Sequence, residues 1–161
     1  LNMDVDKSEY RLKNMYSIDK GDVILDLNGK NEGSVAIRLG RDGNVLWGSA
    51  VRPQILSNGF VNDAFSTMAD DELKVIFNIH PAAMKPTTLQ TKKPLGVDFK
   101  SKPTIATINL EDGRIEYAFL TSTTGTIDGA ICFTLSKKLA PGKFILRMKY
   151  NGIVQNVPVT F

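Results

Sequence analysis

The sequence predicts an all-β protein, an antiparallel β-sandwich of immunoglobulin-like or jelly-roll type with at most one short helix near residues 60–69. Three observations lead to this prediction. Apolar residues recur at every second position in most apolar segments, these segments are short, and turn-forming residues such as Gly, Asn and Asp separate them. With 161 residues, 42% hydrophobic and 23% charged, the chain has the composition of a folded domain rather than of a disordered segment.

Two segments in the first half of the chain show the period of two that is typical of strands. In residues 34–39 aliphatic side chains occupy the odd positions, so we expect those positions in the core and Arg38 in water. In residues 72–79 the same alternation predicts a half-buried strand. Its apolar face would consist of Leu73, Val75, Phe77 and Ile79.

The last third of the chain carries the clearest strand signals. Apolar residues alternate in 115–119 and 143–150, and Ile105, Ile108 and Leu110 precede the turn at 111–114; each of these segments has the length of an ordinary strand. For residues 131–135 we expect a further strand with its odd positions on one face and Cys132 on the other.

Short turn motifs separate these strands. Residues 41–44 and 111–114 both contain Asp-Gly, which accepts the positive φ of a tight hairpin. Asn151-Gly152 favours a type I′ turn. Because Pro158 has no N–H group, we expect the final strand at the edge of a sheet or at a bulge.

One segment allows a helix. Apolar residues in 60–69 fall at spacings of three and four, and Ser57 or Asn58 could cap the first turn; the alternative is another strand and loop. Residues 80–102 carry several prolines and five lysines, which predicts a long connection without a helix.

The simplest domain organisation is one β-sandwich over residues 1–161. The alternative is an N-terminal β module at 1–84, a Pro- and Lys-rich linker at 85–103 and a C-terminal β module at 104–161. The polar residues that precede Tyr10 are interpreted as an N-terminal arm.

The sequence predicts no catalytic residue, no metal site and no cofactor. His80 is the single histidine and has no nucleophile motif beside it, while Cys132 between two apolar residues is expected to behave as a small apolar side chain. The acidic N-terminus lacks the Gly and Glu of a calcium loop, and no glycine-rich phosphate loop is present. A dispersed site of carboxylates or His80 remains a further alternative.

Two features could contact a ligand or partner. Trp47 is either a core residue or a platform on which a sugar ring stacks. The lysine-rich connection is either a solvated loop or a surface for phosphate, sulfate or an acidic partner, and its residues are Lys92, Lys93, Lys100 and Lys102.

These observations favour a non-catalytic structural or adhesive module that mediates protein–protein assembly, such as a virion, phage-tail or cell-surface component. The alternatives are a carbohydrate-binding module that uses Trp47 and an enzyme with a dispersed site. We expect protein partners or self-association, with a glycan as a further ligand, no nucleic acid and no membrane insertion. The chain begins with Leu1 and shows no signal-peptide pattern, which we interpret as a processed or truncated product; a location outside the cell or on a virion is favoured.

Overall fold

The computed structural model describes residues 10–18, 21–29, 33–51, 64–79, 101–122, 125–127 and 129–161. Within these ranges the chain forms fourteen β-strands and one three-residue 3-10 helix, Phe133–Leu135. The strands are β1 Tyr10–Ser17, β2 Val23–Gly29, β3 Gly33–Leu39, β4 Val45–Val51, β5 Phe65–Ala69, β6 Glu72–Ile79, β7 Lys102–Asn109, β8 Ile115–Phe119, β9 Thr121–Ser122, β10 Gly125–Thr126, β11 Ala130–Ile131, β12 Lys137–Ala140, β13 Lys143–Tyr150 and β14 Ile153–Thr160. The predicted all-β class is confirmed.

The strands form three antiparallel sheets of four strands each and one short pair, β9 with β10. The first sheet has the order β1-β2-β3-β4 and the second the order β5-β6-β7-β8, so neighbours in sequence are neighbours in space. In the third sheet β13 pairs with β14 along its whole length, while β11 and β12 pair with opposite ends of its other side. All pairings are antiparallel, as the hairpin motifs predict.

The predicted turns are present at the predicted places. Gly43 and Gly113 have φ values of 80° and 73° in the β3–β4 and β7–β8 hairpins. Asn151 and Gly152 both have positive φ, 46° and 80°, as a type I′ turn requires. Pro158 lies on β14, which among the described strands pairs only with β13 and is therefore an edge.

The prediction of a helix near residues 60–69 is wrong for the part that the structure describes. Residues 60–63 lie outside it, and Phe65–Ala69 form strand β5. The reason is tertiary: β5 is hydrogen-bonded to β6 over its five residues, through a tight turn at Asp70 and Asp71. A five-residue segment is also too short for a helix to be stable against such a partner.

The strand expected over residues 131–135 is also only partly formed. Strand β11 ends at Ile131, residues 133–135 form the 3-10 helix, and Leu135 is 60% exposed. The backbone turns here because the N–H of Ser136 donates to the carbonyl oxygen of Phe133, which closes a helical turn in place of a sheet ladder.

Two clusters of buried side chains form the core. The first joins the first and second sheets and contains Ile24, Ala36, Trp47, Val51, Leu73, Val75, Phe77, Ile79, Ala106 and Ile108. The second joins the second and third sheets and contains Ile76, Leu120, Ile131, Phe133, Phe144, Leu146, Met148 and Val159. Strand β6 contributes to both clusters, so it is buried on both faces rather than half-buried as predicted.

The second sheet also contains strands from both sides of the proposed linker. Strand β6 pairs with β7 over eight residues, from Glu72 opposite Asn109 to Ile79 opposite Lys102. The boundary of the two-module alternative therefore falls between two strands that pair with each other, while residues 85–100 of the linker lie outside the described ranges.

Asn78 connects the second sheet to the third. Its side chain is 6% exposed; its Nδ2 donates to the carbonyl oxygen of Ile131 at 3.0 Å, and its Oδ1 accepts from the N–H of Ile131 at 2.8 Å. The amide thus replaces a strand partner for a backbone segment that would otherwise be buried without one. Both buried groups of Ile131 depend on this single side chain.

We predict that Asn78→Ala lowers the free energy of unfolding by about 2 to 3 kcal/mol, because it leaves a buried N–H and a buried carbonyl without partners. Chemical denaturation followed by circular dichroism measures the change. Asn156→Ala on the exposed face of β14 is the control and should shift stability by less than about 0.5 kcal/mol. Equal effects of the two substitutions would contradict the role of Asn78.

The β5–β6 turn generates a second prediction. Asp70 and Asp71 have φ values of 52° and 56°, a conformation that costs a non-glycine residue about 1 kcal/mol. Asp71→Gly should therefore raise the free energy of unfolding by about 0.5 to 1 kcal/mol. Asp71→Ala removes the same charge but lacks the backbone freedom of glycine, so it should not raise the free energy of unfolding. An equal increase in both variants would mean that the lost charge, and not the backbone conformation, causes the effect.

Candidate assembly surface

The structure places Trp47 on β4 with its ring turned toward the second sheet. The indole is 7% exposed, and its N–H donates to the carbonyl oxygen of Leu110 at 2.9 Å. A Cβ atom at Gly113 would come within 2.8 Å of the indole ring, so the glycine allows the β7–β8 hairpin to pack against it. This is the packing of a core tryptophan. The sugar-stacking role stays a prediction, and it would require the ring to leave this position.

The other predicted contact residues are not brought together by the described part of the chain. Lys102 begins β7, and its Nζ lies 5.8 Å from the centroid of the Phe119 ring, a cation–π contact. Lys92, Lys93 and Lys100 lie outside the described residues, as does His80. Their roles stay predictions.

Strand β3 departs from the prediction at Arg38, which was expected in water, whereas Val35 is buried as expected. Arg38 points inward: its Nη2 lies 2.6 Å from Oδ2 of Asp22, and its Nη1 donates to the carbonyl oxygen of Leu110. The odd positions of β3, Val35 among them, therefore point away from the second sheet. The prediction failed because an arginine was assigned to water, whereas here a carboxylate and a backbone carbonyl satisfy its guanidinium.

The register of the first sheet carries this orientation across all four strands. Met15 pairs with Leu25, Leu25 with Ile37, and Ile37 with Gly48, while the neighbouring row contains Leu12, Leu27, Val35 and Ala50. We call the side turned away from the second sheet the outward face. Its apolar residues are Leu12, Met15, Val23, Leu25, Leu27, Val35, Ile37, Leu39, Val45, Leu46, Gly48 and Ala50, and the register also places Tyr10 and Ser17 on this side.

Exposure on the outward face is greatest at its two edge strands. Met15 is 64% exposed, Leu12 and Val45 are 58% exposed and Leu46 is 53% exposed. Toward the centre Leu25 and its neighbours are half-buried, and Val35 is buried. The exposed apolar groups of this face therefore lie on its two edge strands, and exposed apolar groups of this size are typical of an interaction site.

The inward side of the same sheet holds the polar groups. Asp26 on β2 is 1% exposed; its Oδ2 accepts a hydrogen bond from Nδ2 of Asn14 at 2.9 Å and another from the hydroxyl of Ser66 on β5. Asn14 Nδ2 also lies 2.8 Å from the Ser66 hydroxyl oxygen, and the Tyr16 hydroxyl lies 3.3 Å from it. This polar cluster connects β1, β2 and β5 within the core.

A serine beside a buried aspartate suggests nucleophilic chemistry, but the geometry does not favour it. Ser66 is 3% exposed and donates its hydroxyl hydrogen to Asp26, which is 1% exposed. A substrate could reach neither the hydroxyl nor the carboxylate, as nucleophilic catalysis would require. The backbone carbonyl of Ser66 accepts from Nζ of Lys138 at 2.8 Å, which joins β12 to the same cluster. The arrangement holds elements together.

The described residues contain no group of three or more His, Cys, Asp or Glu side chains placed to bind a metal ion. None of their helices has the length and apolar character needed to cross a membrane. An open groove at the β3–β4 hairpin is lined by Asp22, Gly40, Arg41, Asp42 and Leu46, but Asp22 is paired with Arg38 and Asp42 caps Asn44.

Sequence reasoning missed the outward face, although a signal for it exists. The even positions of β2 and β3 include Asp26 and Arg38, whereas the odd positions are aliphatic apart from Gly29 and Gly33. The alternation within each single strand predicts that its aliphatic side lies in the core. Reading Asp22, Asp26 and Arg38 together as a set of complementary charges would have allowed the opposite orientation.

Two half-buried tyrosines and one lysine give the fold an alkaline pH dependence. Burial is the main cause that raises the pKa of Tyr16 and of Tyr117 above 10.0. A raised pKa means that the unfolded chain loses these protons first, so stability falls as pH rises above about 10. Burial lowers the pKa of Lys138 below 10.5, so the unfolded chain keeps this proton to a higher pH than the folded chain. The contribution of Lys138 therefore makes stability rise with pH up to about 10.5.

We predict that Tyr117→Phe makes the loss of thermal stability between about pH 9.5 and 11 less steep, because one ionising group is removed. Scanning calorimetry at several pH values measures the slope. Tyr150→Phe, at a ring that is 43% exposed, should leave the slope unchanged. A Tyr117→Phe slope equal to that of the parent chain would contradict the role of burial.

Comparison with known proteins finds no family model, no curated protein and no solved structure that matches this chain.

Proposed function

We propose that this protein is a non-catalytic structural or adhesive module that assembles with other protein chains through the outward face of its first sheet. The partner that fits best is a second copy, because two flat aliphatic sheet faces can stack on each other as the sheets of a β-sandwich do. We also infer that the three sheets themselves stack as layers of a sandwich, since each core cluster contains residues of two sheets. The immunoglobulin-like or jelly-roll type stays a prediction.

The observation that carries the proposal is the orientation of the first sheet. Its inward side buries Asp26 and half-buries Arg38 with their partners, and its outward side exposes aliphatic groups such as Met15 and Leu12. Exposed methyl and methylene groups gain about 25 cal/mol for each Å² that a partner covers. None of the described residues of the outward face is charged, so no like charges within it would repel between two identical copies.

The area of the outward face is smaller than the area that one partner buries in a standard interface, so the contact would also include the neighbouring loops. Four strands of seven or eight residues span roughly 19 Å by 23 Å at ordinary strand spacing and rise. Each partner in a standard protein interface buries about 800 Å². The aliphatic face would thus form the apolar centre of the contact, with neighbouring loops as a polar rim.

The edge strands offer a second route to the same function. Strand β14 pairs only with β13 among the described strands, and Ile153 and Val154 are 67% and 45% exposed at its start. An open strand edge can pair with a strand of another chain. Pro158 removes one donor from this edge, which limits how far such pairing could extend.

The test compares oligomeric state across concentration by sedimentation equilibrium. We expect the parent chain to associate reversibly and Met15→Glu to weaken association at least about tenfold, because a carboxylate would be buried in an apolar contact. The control is Leu139→Glu on β12, which introduces the same charge at a leucine that is 60% exposed outside the outward face. It should leave association unchanged.

A parent chain that is monomeric over a wide concentration range, and that captures no protein partner through this face, would refute the proposal. If both variants lost association, the interface could not be assigned to the outward face of the first sheet. The virion or cell-surface setting of the module is a separate prediction that this experiment does not address.

A further inference from the structure

The charges of this protein are distributed unevenly along the chain. Residues 129–161, which form β11 to β14, contain five lysines and arginines and no aspartate or glutamate. The rest of the chain carries fifteen basic and seventeen acidic residues, so the net charge of +3 hides a strongly basic third sheet. A concentration of one sign of charge on one sheet favours an oppositely charged ligand.

Four of these five cations share one face of the third sheet. Phe144, Leu146 and Met148 point into the core, so the alternate residues Lys143, Arg147 and Lys149 point away from it. Lys137 on β12 pairs with Ile145 and therefore lies on the same side. We call Lys137, Lys143, Arg147 and Lys149 the basic row. The fifth cation, Lys138, points inward and bonds Ser66.

The register sets the spacing of the basic row. Arg147 and Lys149 are two residues apart on β13, about 7 Å along an extended strand. Lys137 lies diagonally between Lys143 and Arg147, about 7 to 8 Å from each. The row is therefore a line of positive charges at nearly regular intervals, which suits an extended chain of repeating negative charges rather than a single small anion.

No carboxylate of the described residues forms an ion pair with a member of the basic row. The three lysine side chains are exposed, whereas Arg147 is half-buried and its Nε is a buried atom that a surface ligand does not reach. By contrast, Arg38 and Lys74 elsewhere in the fold are paired with Asp22 and Glu72. The charge of the row is available to a ligand.

The residues around the row indicate which polyanion fits. Thr160 and Asn156 lie opposite Lys143 and Arg147 on β14 and supply exposed hydrogen-bonding groups. The remaining outward positions of β13 and β14, which are Ile145, Pro158 and Val154, provide no aromatic ring on which a nucleic-acid base could stack. Hydroxyl- and sulfate-rich chains need only charge and hydrogen bonds.

We infer that the basic row binds a sulfated polysaccharide lying along the exposed face of the third sheet. This inference is independent of the proposed assembly role, because it uses a different sheet and a different kind of contact. Sulfate groups would meet the lysine ammonium groups and the Arg147 guanidinium, and sugar hydroxyls would meet Asn156 and Thr160. Binding of this kind weakens strongly as salt is added.

The test uses a fluorescently labelled heparin oligosaccharide and the full chain. We expect saturable binding at about 50 mM salt, weakening steeply toward about 300 mM as the charges are screened. Lys143→Gln with Lys149→Gln should weaken binding about tenfold, since two exposed charge contacts are lost. Both residues are exposed, and circular dichroism verifies that the variant remains folded.

The matched control is Arg11→Gln with Arg114→Gln, which lowers the net charge equally at exposed sites on the first sheet and the β7–β8 hairpin. It should change heparin affinity less than about twofold. An equal loss in the control would reduce the effect to net charge and overturn the inference, as would the absence of heparin binding at low salt. Tighter binding of a single-stranded DNA of the same charge would overturn the choice of polysaccharide.

Discussion

The polar cluster around Asp26 is the constraint on which the arrangement of the first sheet depends. A carboxylate that is 1% exposed requires hydrogen bonds to compensate its lost hydration, and Asn14 on β1 and Ser66 on β5 donate to its Oδ2. Its Oδ1 is buried without a hydrogen-bond partner among the described residues. Moving any of these strands by one residue would turn its cluster member to the other face. Burial of Asp26 therefore fixes the register of β1 on β2 and the position of the first sheet on the second.

The orientation that follows determines which surface is left for a partner. Because Asp26 and Arg38 require the interior, the aliphatic positions of β2 and β3 are turned outward. A sheet with a polar network on its covered side and methyl groups on its open side is unfavourable for an isolated molecule, since the apolar area remains in contact with water. Assembly would remove this cost, and the proposed function rests on that argument.

The second sheet contributes buried side chains to both core clusters. Strand β6 presents Phe77 to the first sheet and Ile76 to the third, and Asn78 bonds the backbone of Ile131. The third sheet is then free to expose its other face, where the basic row lies. The two candidate binding surfaces thus lie on different sheets and can act without competing for the same residues.

The sequence by itself determined the local features of this protein: the all-β class, the hairpins at Gly43, Gly113 and Asn151-Gly152, and the edge position of Pro158. These follow from backbone chemistry and a period of two, which involve neighbouring residues only. Only the tertiary structure decided that Phe65–Ala69 is a strand, that Arg38 points inward and that Lys137 joins the cations of β13. Each of these depends on a partner distant in sequence, and alternation defines two faces of a strand without saying which face is covered.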